Sequence, residues 1–201
     1  MQEGVVIKST GSWYEVRIDS GEVVLCRLRG KLRLDGVRAT NPVAVGDKVI
    51  IEKENNKDTC VINKVLPRYN VIVRKSVNLS KASHIIASNI DQAILVATIA
   101  QPRTSTGFID RFLVTAEAYH IPTIIVFNKC DLYDEEQMSH AKELIDVFEN
   151  IGYHSFMLSA KTGFQCDELK EIMKDKVSLF SGHSGVGKSA LINRLDSNLN
   201  V

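Results

Sequence analysis

Eight residues close to the end of the printed sequence match G-x-x-x-x-G-K-[ST], the pattern of a loop that binds nucleotide phosphates. Glycines permit backbone conformations in which successive N–H groups turn toward phosphate oxygens. Lys188 would reach the β- and γ-phosphates, and the Ser189 hydroxyl would ligate Mg²⁺. The predicted phosphate-binding residues are Gly182, His183, Ser184, Gly185, Val186, Gly187, Lys188 and Ser189.

Two short patterns earlier in the chain are typical of guanine recognition. N-K-x-D at residues 128–131 offers an aspartate carboxylate to the N1–H and N2–H donors of guanine, a donor pair that adenine lacks. S-A-K at residues 159–161 fits a loop whose backbone supports the base. Each pattern is weak alone, but each follows an apolar run. The predicted guanine-binding residues are Asn128, Lys129, Asp131, Ser159, Ala160 and Lys161.

The order of these motifs is unusual, because in an ordinary GTPase the phosphate loop comes first. Here N-K-x-D begins 54 residues before the loop, and twelve residues follow Ser189. Either one match is accidental, as in an ATPase or kinase with a chance N-K-x-D, or the domain is circularly permuted. His183 lies at a variable position, where a role in hydrolysis stays a minor alternative, and the sequence identifies no catalytic residue.

The elements that must position these motifs alternate between apolar strands and helical segments, a pattern typical of parallel βαβ units. We therefore predict an α/β fold in which each motif lies at the carboxyl end of a strand, where open sheets bind ligands. Strands are predicted at residues 91–98, 121–127, 153–158 and 177–180. Helices are predicted at residues 107–120, 135–150, about 166–175 and 190–195.

The first third of the chain has a different pattern, with short β-branched runs separated by turn residues and no helical period. Strands are predicted at residues 5–7, 13–18, 22–26, 48–51 and 60–62. Five short strands favour a small closed barrel, with an OB-fold as first choice and an SH3-like barrel as second. The predicted domains are a barrel at residues 1–68, a linker at 69–84 and a permuted GTPase domain at 85–201.

Charge gives modest support for an RNA-binding barrel. Residues 1–70 carry a net charge of +3, and the other residues carry −2. Adjacent Trp13 and Tyr14 point to opposite faces of a strand, so at most one is in the core; for Trp13, base stacking and burial both stay open. A basic loop can follow a phosphate backbone, although a solvated loop is the alternative. The candidate RNA-binding residues are Arg27, Arg29, Lys31, Arg33 and Arg38.

Composition limits the class of protein. The chain has 201 residues, 44% of them hydrophobic, and a net charge of +1, so RNA affinity must come from local patches. No signal peptide or membrane-spanning run is present in the sequence, and the four cysteines show no C-x-x-C spacing. We therefore expect a cytoplasmic protein without a disulfide framework or a zinc site in this chain.

Taken together, these motifs give the chain a resemblance to the RsgA/YjeQ family of circularly permuted bacterial GTPases. Residues 86–92 and 108–113 also resemble that family, so the likeness covers essentially the whole chain. The resemblance implies an OB-fold, a permuted GTPase domain and then a zinc-binding region. It also implies a monomeric factor of late small (30S) ribosomal subunit maturation that binds 16S rRNA and hydrolyses GTP slowly unless the subunit stimulates it.

The sequence departs from the family pattern in one respect. No D-x-x-G turn and no Cys/His cluster for zinc occur in the 201 residues, although the family has both after the phosphate loop. We therefore expect a fragment that has the nucleotide-binding loops but lacks the switch elements, the segments that sense the γ-phosphate. We expect this fragment to be impaired in hydrolysis and expect Zn²⁺ only in a region after Val201. The alternative function is a non-enzymatic RNA-binding scaffold with a structural nucleotide site.

Overall fold

The computed structural model of the protein describes residues 1–28, 42–54, 58–75, 83–197 and 199. Contacts divide the chain into two compact units, Met1–Ile90 and Asp91–Val201.

The first unit contains a closed five-stranded barrel with strand order β1-β2-β3-β5-β4. Strands β3 and β5 pair in parallel, and the other neighbours are antiparallel. This architecture confirms the first-choice prediction of an OB-like barrel. The strands are β1 (Gln2–Thr10), β2 (Trp13–Ile18), β3 (Val23–Leu28), β4 (Lys48–Lys53) and β5 (Cys60–Val65).

The core of the barrel follows the two-residue alternation of its strands. Along β2, Tyr14 is 3% exposed and packs with Val16 inside the barrel, whereas Trp13 is 41% exposed on the outside. The two aromatic side chains therefore do take opposite faces, and Tyr14 is the one in the core.

A two-stranded ribbon overlaps the segment predicted as a linker. Strands β6 (Val71–Lys75) and β7 (Ser83–Ser88) pair antiparallel and belong to the first unit, so the contact boundary falls after Ile90 instead of after residue 84. The linker prediction followed the polar residues and passed over the β-branched run at 71–73. Ile72 at 5% exposure and Ile85 at 1% show why this ribbon is packed and not extended in solvent.

A buried ion pair holds the chain just before the ribbon against the barrel. Asp47 is completely buried, and its carboxylate accepts hydrogen bonds from both Nε and Nη2 of Arg68. The Ser88 hydroxyl and the backbone N–H of Ala44 donate to the same carboxylate. Since a buried charge needs such compensation, these contacts fix the ribbon to the barrel within the first unit.

The second unit is a four-stranded, wholly parallel sheet in the order β10-β9-β8-β11. Its strands are β8 (Gln92–Ala97), β9 (Thr123–Phe127), β10 (Ser155–Met157) and β11 (Ser178–Ser181). Its helices are α1 (Thr106–Ala118), α2 (Glu135–Asn150), α3 (Cys166–Met173) and α4 (Lys188–Leu195).

Helices cover both faces of this sheet, which explains why its central strands have apolar residues at nearly every position. Ile94 and Ile124 face a core shared with Leu169 of α3 and Leu191 of α4. The alternate strand residues face a second core, which includes Leu113 of α1 and Phe148 of α2. The predicted α/β class is therefore confirmed, and α2 has the predicted bounds because a capping box of Asp134 and Gln137 fixes its start.

Candidate nucleotide-binding site

The three motifs meet at one edge of the parallel sheet. Asn128 directly follows β9, Ser159 lies two residues after β10, and Gly182 directly follows β11. Parallel strands end at the same edge, so loops that are far apart in sequence come together there. The structure therefore brings the predicted phosphate-binding and guanine-binding segments into one site.

The phosphate loop has the backbone that its glycines allow. Gly182, Gly185 and Gly187 have φ angles of 143°, 85° and 94°, in the region that favours glycine. A Cβ on Gly182 would lie 2.2 Å from the carbonyl oxygen of Val96, so this position also lacks space for a side chain. The loop is thus a tight turn from β11 into the N-terminus of α4.

The lysine and serine of the loop lie in the first turn of α4. Lys188 Nζ donates hydrogen bonds to the carbonyl oxygens of Gly182, at 2.8 Å, and His183, at 2.7 Å, so its charge lies inside the turn. Ser189 is exposed in the first turn of α4. A Mg²⁺ ion bound to this hydroxyl would lie near Lys188 and the N-terminus of α4. Such surroundings are compatible with a phosphate chain that carries Mg²⁺.

Asn128 connects the phosphate loop to the base-recognition loop. Its side chain is 1% exposed, its Nδ2 donates to the Val186 carbonyl at 2.9 Å, and its Oδ1 accepts from the Ala160 N–H at 3.0 Å. Both ends of the amide are therefore used within the protein. Of the two roles that its motif allows, holding neighbouring loops or binding the base, the structure shows the first.

Asp131 is exposed at the site and is oriented by Ser159. The Ser159 hydroxyl donates to Asp131 Oδ1 at 2.6 Å and accepts from the Thr162 N–H at 3.1 Å. Ser159 is itself fully buried, while Lys161 is exposed beside it. This arrangement leaves the Asp131 carboxylate at the surface of the site, where it can accept the paired donors of a guanine edge.

Lys129 has a left-handed backbone, with φ of 68°. Its Nζ donates to two carbonyl oxygens, those of Gly185 at 2.7 Å and Gln101 at 2.6 Å. The ammonium therefore ties the phosphate loop to the segment that follows β8. The sequence predicted a role for Lys129 but not the contact with Gln101.

The surroundings of two variable residues within the motifs, His183 and Cys130, are defined by the structure. The His183 ring contacts Phe108 of α1 edge to face, with 3.9 Å between ring centroids. The thiol of Cys130 has a raised pKa, chiefly because of burial and further because of the Asp131 carboxylate. A protonated thiol is a poor nucleophile, in agreement with a passive role for the variable residue of N-K-x-D.

Sequence patterns missed two further residues that contact these loops. The Tyr133 hydroxyl donates to the carbonyl oxygen of Asn128 in the N-K-x-D turn, and Arg194 of α4 donates to the Thr162 carbonyl at 3.4 Å. Gly163 makes room for that arginine, since a Cβ there would lie 2.2 Å from its Nη2. Neither residue belongs to a motif, so the local sequence held no signal for them.

The candidate RNA-binding residues belong to the first unit, and the structure describes one of them. Arg27 makes a two-pronged ion pair with Glu54, through Nε at 3.1 Å and through Nη2. Its charge is therefore partly compensated. Arg29, Lys31, Arg33 and Arg38 lie outside the described residues.

Within the described ranges, no cluster of three or more His, Cys, Asp or Glu side chains could hold a metal ion. All four cysteines are free thiols. A search of the same described residues finds no helix long and apolar enough to cross a membrane.

The fold and the site define a class: a circularly permuted P-loop domain of the GTPase type that follows an OB-like barrel. The match to family models makes this more specific. The RsgA GTPase model matches residues 65–201 and the RsgA N-terminal domain model matches residues 3–61. The chain therefore belongs to the RsgA family.

Individual relatives agree with this assignment. "Small ribosomal subunit biogenesis GTPase RsgA" of Bacteroides fragilis (strain YCH46) is 53% identical over 199 residues, which cover 99% of this chain and 64% of the relative. The protein of that name from Christiangramia forsetii is 49% identical over 201 residues, again 64% of its length. This chain thus spans about two thirds of the curated relatives it matches.

Two solved structures have the same fold. YjeQ from Thermotoga maritima has a TM-score of 0.81 and 37% identity, covering 100% of this chain and 66% of that one. YloQ, described as a circularly permuted GTPase, has a TM-score of 0.70 and 32% identity, covering 96% of this chain and 63% of that one. The order of motifs here is therefore a true permutation and not an accidental match.

Proposed function

We propose that the protein binds and hydrolyses GTP as a factor of late small (30S) ribosomal subunit maturation. The observation that carries this proposal is the buried amide of Asn128, which joins the phosphate loop at Val186 to the base loop at Ala160. This bridge fixes the spacing of the two loops, as is required where one ligand, such as a guanine nucleotide, contacts both. The names of the relatives support the ribosomal role.

In this proposal, the residues of the chain bind and orient the nucleotide. The turn at 182–187 surrounds the phosphates with backbone N–H groups, and Lys188 moves from its loop carbonyls to phosphate oxygens. The Ser189 hydroxyl would hold Mg²⁺, which would neutralise charge on the phosphate chain. Asp131, oriented by Ser159, selects guanine over adenine. We assign no catalytic residue to this set.

We further propose that the partners are the small ribosomal subunit and its 16S rRNA, that the protein is monomeric, and that it acts in the cytoplasm. The OB-like barrel supports an RNA contact, because such barrels present a strand face and loops to nucleic acid. Trp13, exposed on the outside of β2, adds a surface on which a base can stack. Of the basic residues, Arg27 would have to exchange its Glu54 partner for phosphate.

Base selectivity is the decisive test of nucleotide binding. We expect the chain to bind GDP with at least about 100-fold preference over ADP, since an unpaired donor or acceptor in a site built for hydrogen bonds costs several kcal/mol. Asp131→Asn should lose this preference and gain affinity for xanthosine diphosphate, whose base offers an acceptor where guanine has a donor. Equal affinities for GDP and ADP in the unaltered chain would refute guanine recognition.

Phosphate release separates an enzyme from a scaffold. We expect slow GTP turnover by the chain, because no D-x-x-G turn occurs in the 201 residues, and we expect it to rise on addition of 30S subunits, with Lys188→Ala as a control that loses phosphate binding. GTP binding without phosphate release, with or without subunits, would instead favour the alternative of an RNA-binding scaffold with a structural nucleotide site.

A further inference from the structure

A tyrosine outside the sequence motifs connects two of the strand ends that form the site. The Tyr133 hydroxyl donates to the carbonyl oxygen of Asn128 at 2.6 Å and accepts from the N–H of Ile99 at 3.1 Å. Asn128 follows β9 and Ile99 lies just after β8, so one oxygen atom joins the ends of neighbouring strands. Burial raises the pKa of Tyr133 to about 12, so the hydroxyl keeps the proton that it donates.

The backbone that this hydroxyl holds is a strained one. Lys129, directly after Asn128, has φ of 68°, a left-handed conformation that is unfavourable for a residue with a side chain. Such a turn persists when its surroundings over-determine it. Tyr133 holds the carbonyl oxygen of Asn128, which precedes Lys129. The Lys129 side chain is held at its ammonium group, which donates to the carbonyl oxygen of Gln101.

Tyr133 also bonds to the segment that follows β8, through the Ile99 N–H. Gln101 accepts a hydrogen bond from Lys129 Nζ, and Pro102 lies 3.5 Å from the position of a Cβ on Gly185 in the phosphate loop. The segment therefore forms a strap between the N-K-x-D turn and the phosphate loop. The Ile99 N–H is the point at which Tyr133 attaches to it.

We propose that Tyr133 is a positioning residue for base selectivity, which holds the left-handed turn so that Lys129 and Asp131 face the nucleotide. This inference rests on the proposed guanine site and adds a residue to it. The hydrogen bonds of the Tyr133 hydroxyl reach backbone groups, the Asn128 carbonyl and the Ile99 N–H. Its removal should therefore loosen the turn that carries Asp131.

Tyr133→Phe is a clean perturbation, because it retains the ring and deletes the hydroxyl with both hydrogen bonds. We expect the affinity for GDP to fall about tenfold, as follows from loss of one to two hydrogen bonds. Affinity for inosine diphosphate (IDP), whose base lacks the 2-amino group, should fall less. The ratio of GDP affinity to IDP affinity (the GDP-to-IDP ratio) should therefore decrease. The matched control is Tyr153→Phe, which deletes a hydroxyl bound to Glu117 outside the motifs and should change neither affinity.

A double-variant cycle tests whether Tyr133 acts through Asp131. If it does, Tyr133→Phe should weaken GDP binding much less in an Asp131→Asn background than in the unaltered chain. Far-ultraviolet circular dichroism without nucleotide should show a folded variant. The proposal would be overturned if the losses of GDP affinity from the two substitutions were fully additive in the double variant. It would also be overturned if Tyr133→Phe lowered the unfolding midpoint but left the GDP-to-IDP ratio unchanged, because Tyr133 would then be a packing residue.

The same measurements separate this inference from the function on which it rests. If the unaltered chain binds GDP and ADP equally, the guanine site fails and the role of Tyr133 fails with it. If the unaltered chain prefers GDP over ADP, and Tyr133→Phe leaves both the GDP affinity and the GDP-to-IDP ratio unchanged, the positioning role alone is refuted.

Discussion

Replacement of Asn128 by alanine tests the central connection of the site without any nucleotide. The Asn128 amide is 1% exposed and bonds to the Val186 carbonyl at 2.9 Å and the Ala160 N–H at 3.0 Å. Alanine would leave both backbone groups without this partner in the interior. A buried group that loses its partner costs about 1–3 kcal/mol, so we expect the free energy of unfolding to fall by about 2–4 kcal/mol, with some relief from water entry.

The single tryptophan makes the assay specific for one unit. All four helices described here belong to the second unit, so circular dichroism at 222 nm in urea follows that unit, while fluorescence of Trp13 follows the barrel. Asn128→Ala should shift the dichroism midpoint and leave the fluorescence midpoint in place. Asn150→Ala, at the exposed end of α2, is the matched control. An unchanged dichroism midpoint in the Asn128 variant would show that this amide does not hold the loops together.

Three further perturbations give distinct outcomes. Gly182→Ala should reduce GDP affinity by more than about tenfold in equilibrium titration, because the methyl group would overlap a backbone carbonyl. Gly152 also has a positive φ, 95° against 143° for Gly182, but has open space around it, so GDP affinity should survive Gly152→Ala. Asp47→Ala, which breaks a buried ion pair, should lower the barrel's unfolding free energy by about 3–5 kcal/mol, and an unchanged Trp13 fluorescence midpoint would contradict this. Burial raises the pKa of Cys26 from 9.0 to about 12, so barrel stability should decline between those pH values as the unfolded thiol ionises, with a shallower decline in Cys26→Ala.

Much of the fold was predictable because its elements have strong local signals. The two central strands of the sheet are apolar at nearly every position, and α2 begins at a capping box, so their type and approximate bounds follow from sequence. The ribbon of β6 and β7 was missed because the polar residues of this segment outweighed the short β-branched run at 71–73. The burial of Ile72 and Ile85 in the first unit depends on contacts with residues far apart in sequence, which a window of neighbouring residues does not contain.

The motif residues of the site were predictable because nucleotide chemistry fixes their types and spacing. Glycines are required where φ is positive, a lysine where phosphate charge accumulates, and a carboxylate where guanine presents two donors. The residues that hold the motifs in place were not predictable. Tyr133 acts through a backbone carbonyl and Arg194 through Thr162, and many side chains could make such contacts, so no pattern marks them.

The geometry of the sheet explains why the motifs meet at one edge although their order is permuted. The position of each loop depends on which strands are neighbours, and the last strand, β11, pairs with the first strand of this sheet, β8. Polar contacts at the start of these strands fix the pairing across the chain: the Val177 N–H donates to Asp91 at 2.7 Å, and Gln92 donates to the Ser178 hydroxyl at 2.9 Å. Since these contacts specify the pair, the phosphate loop reaches Asn128 whichever motif comes first, and permutation changes the connections between strands while it preserves the site.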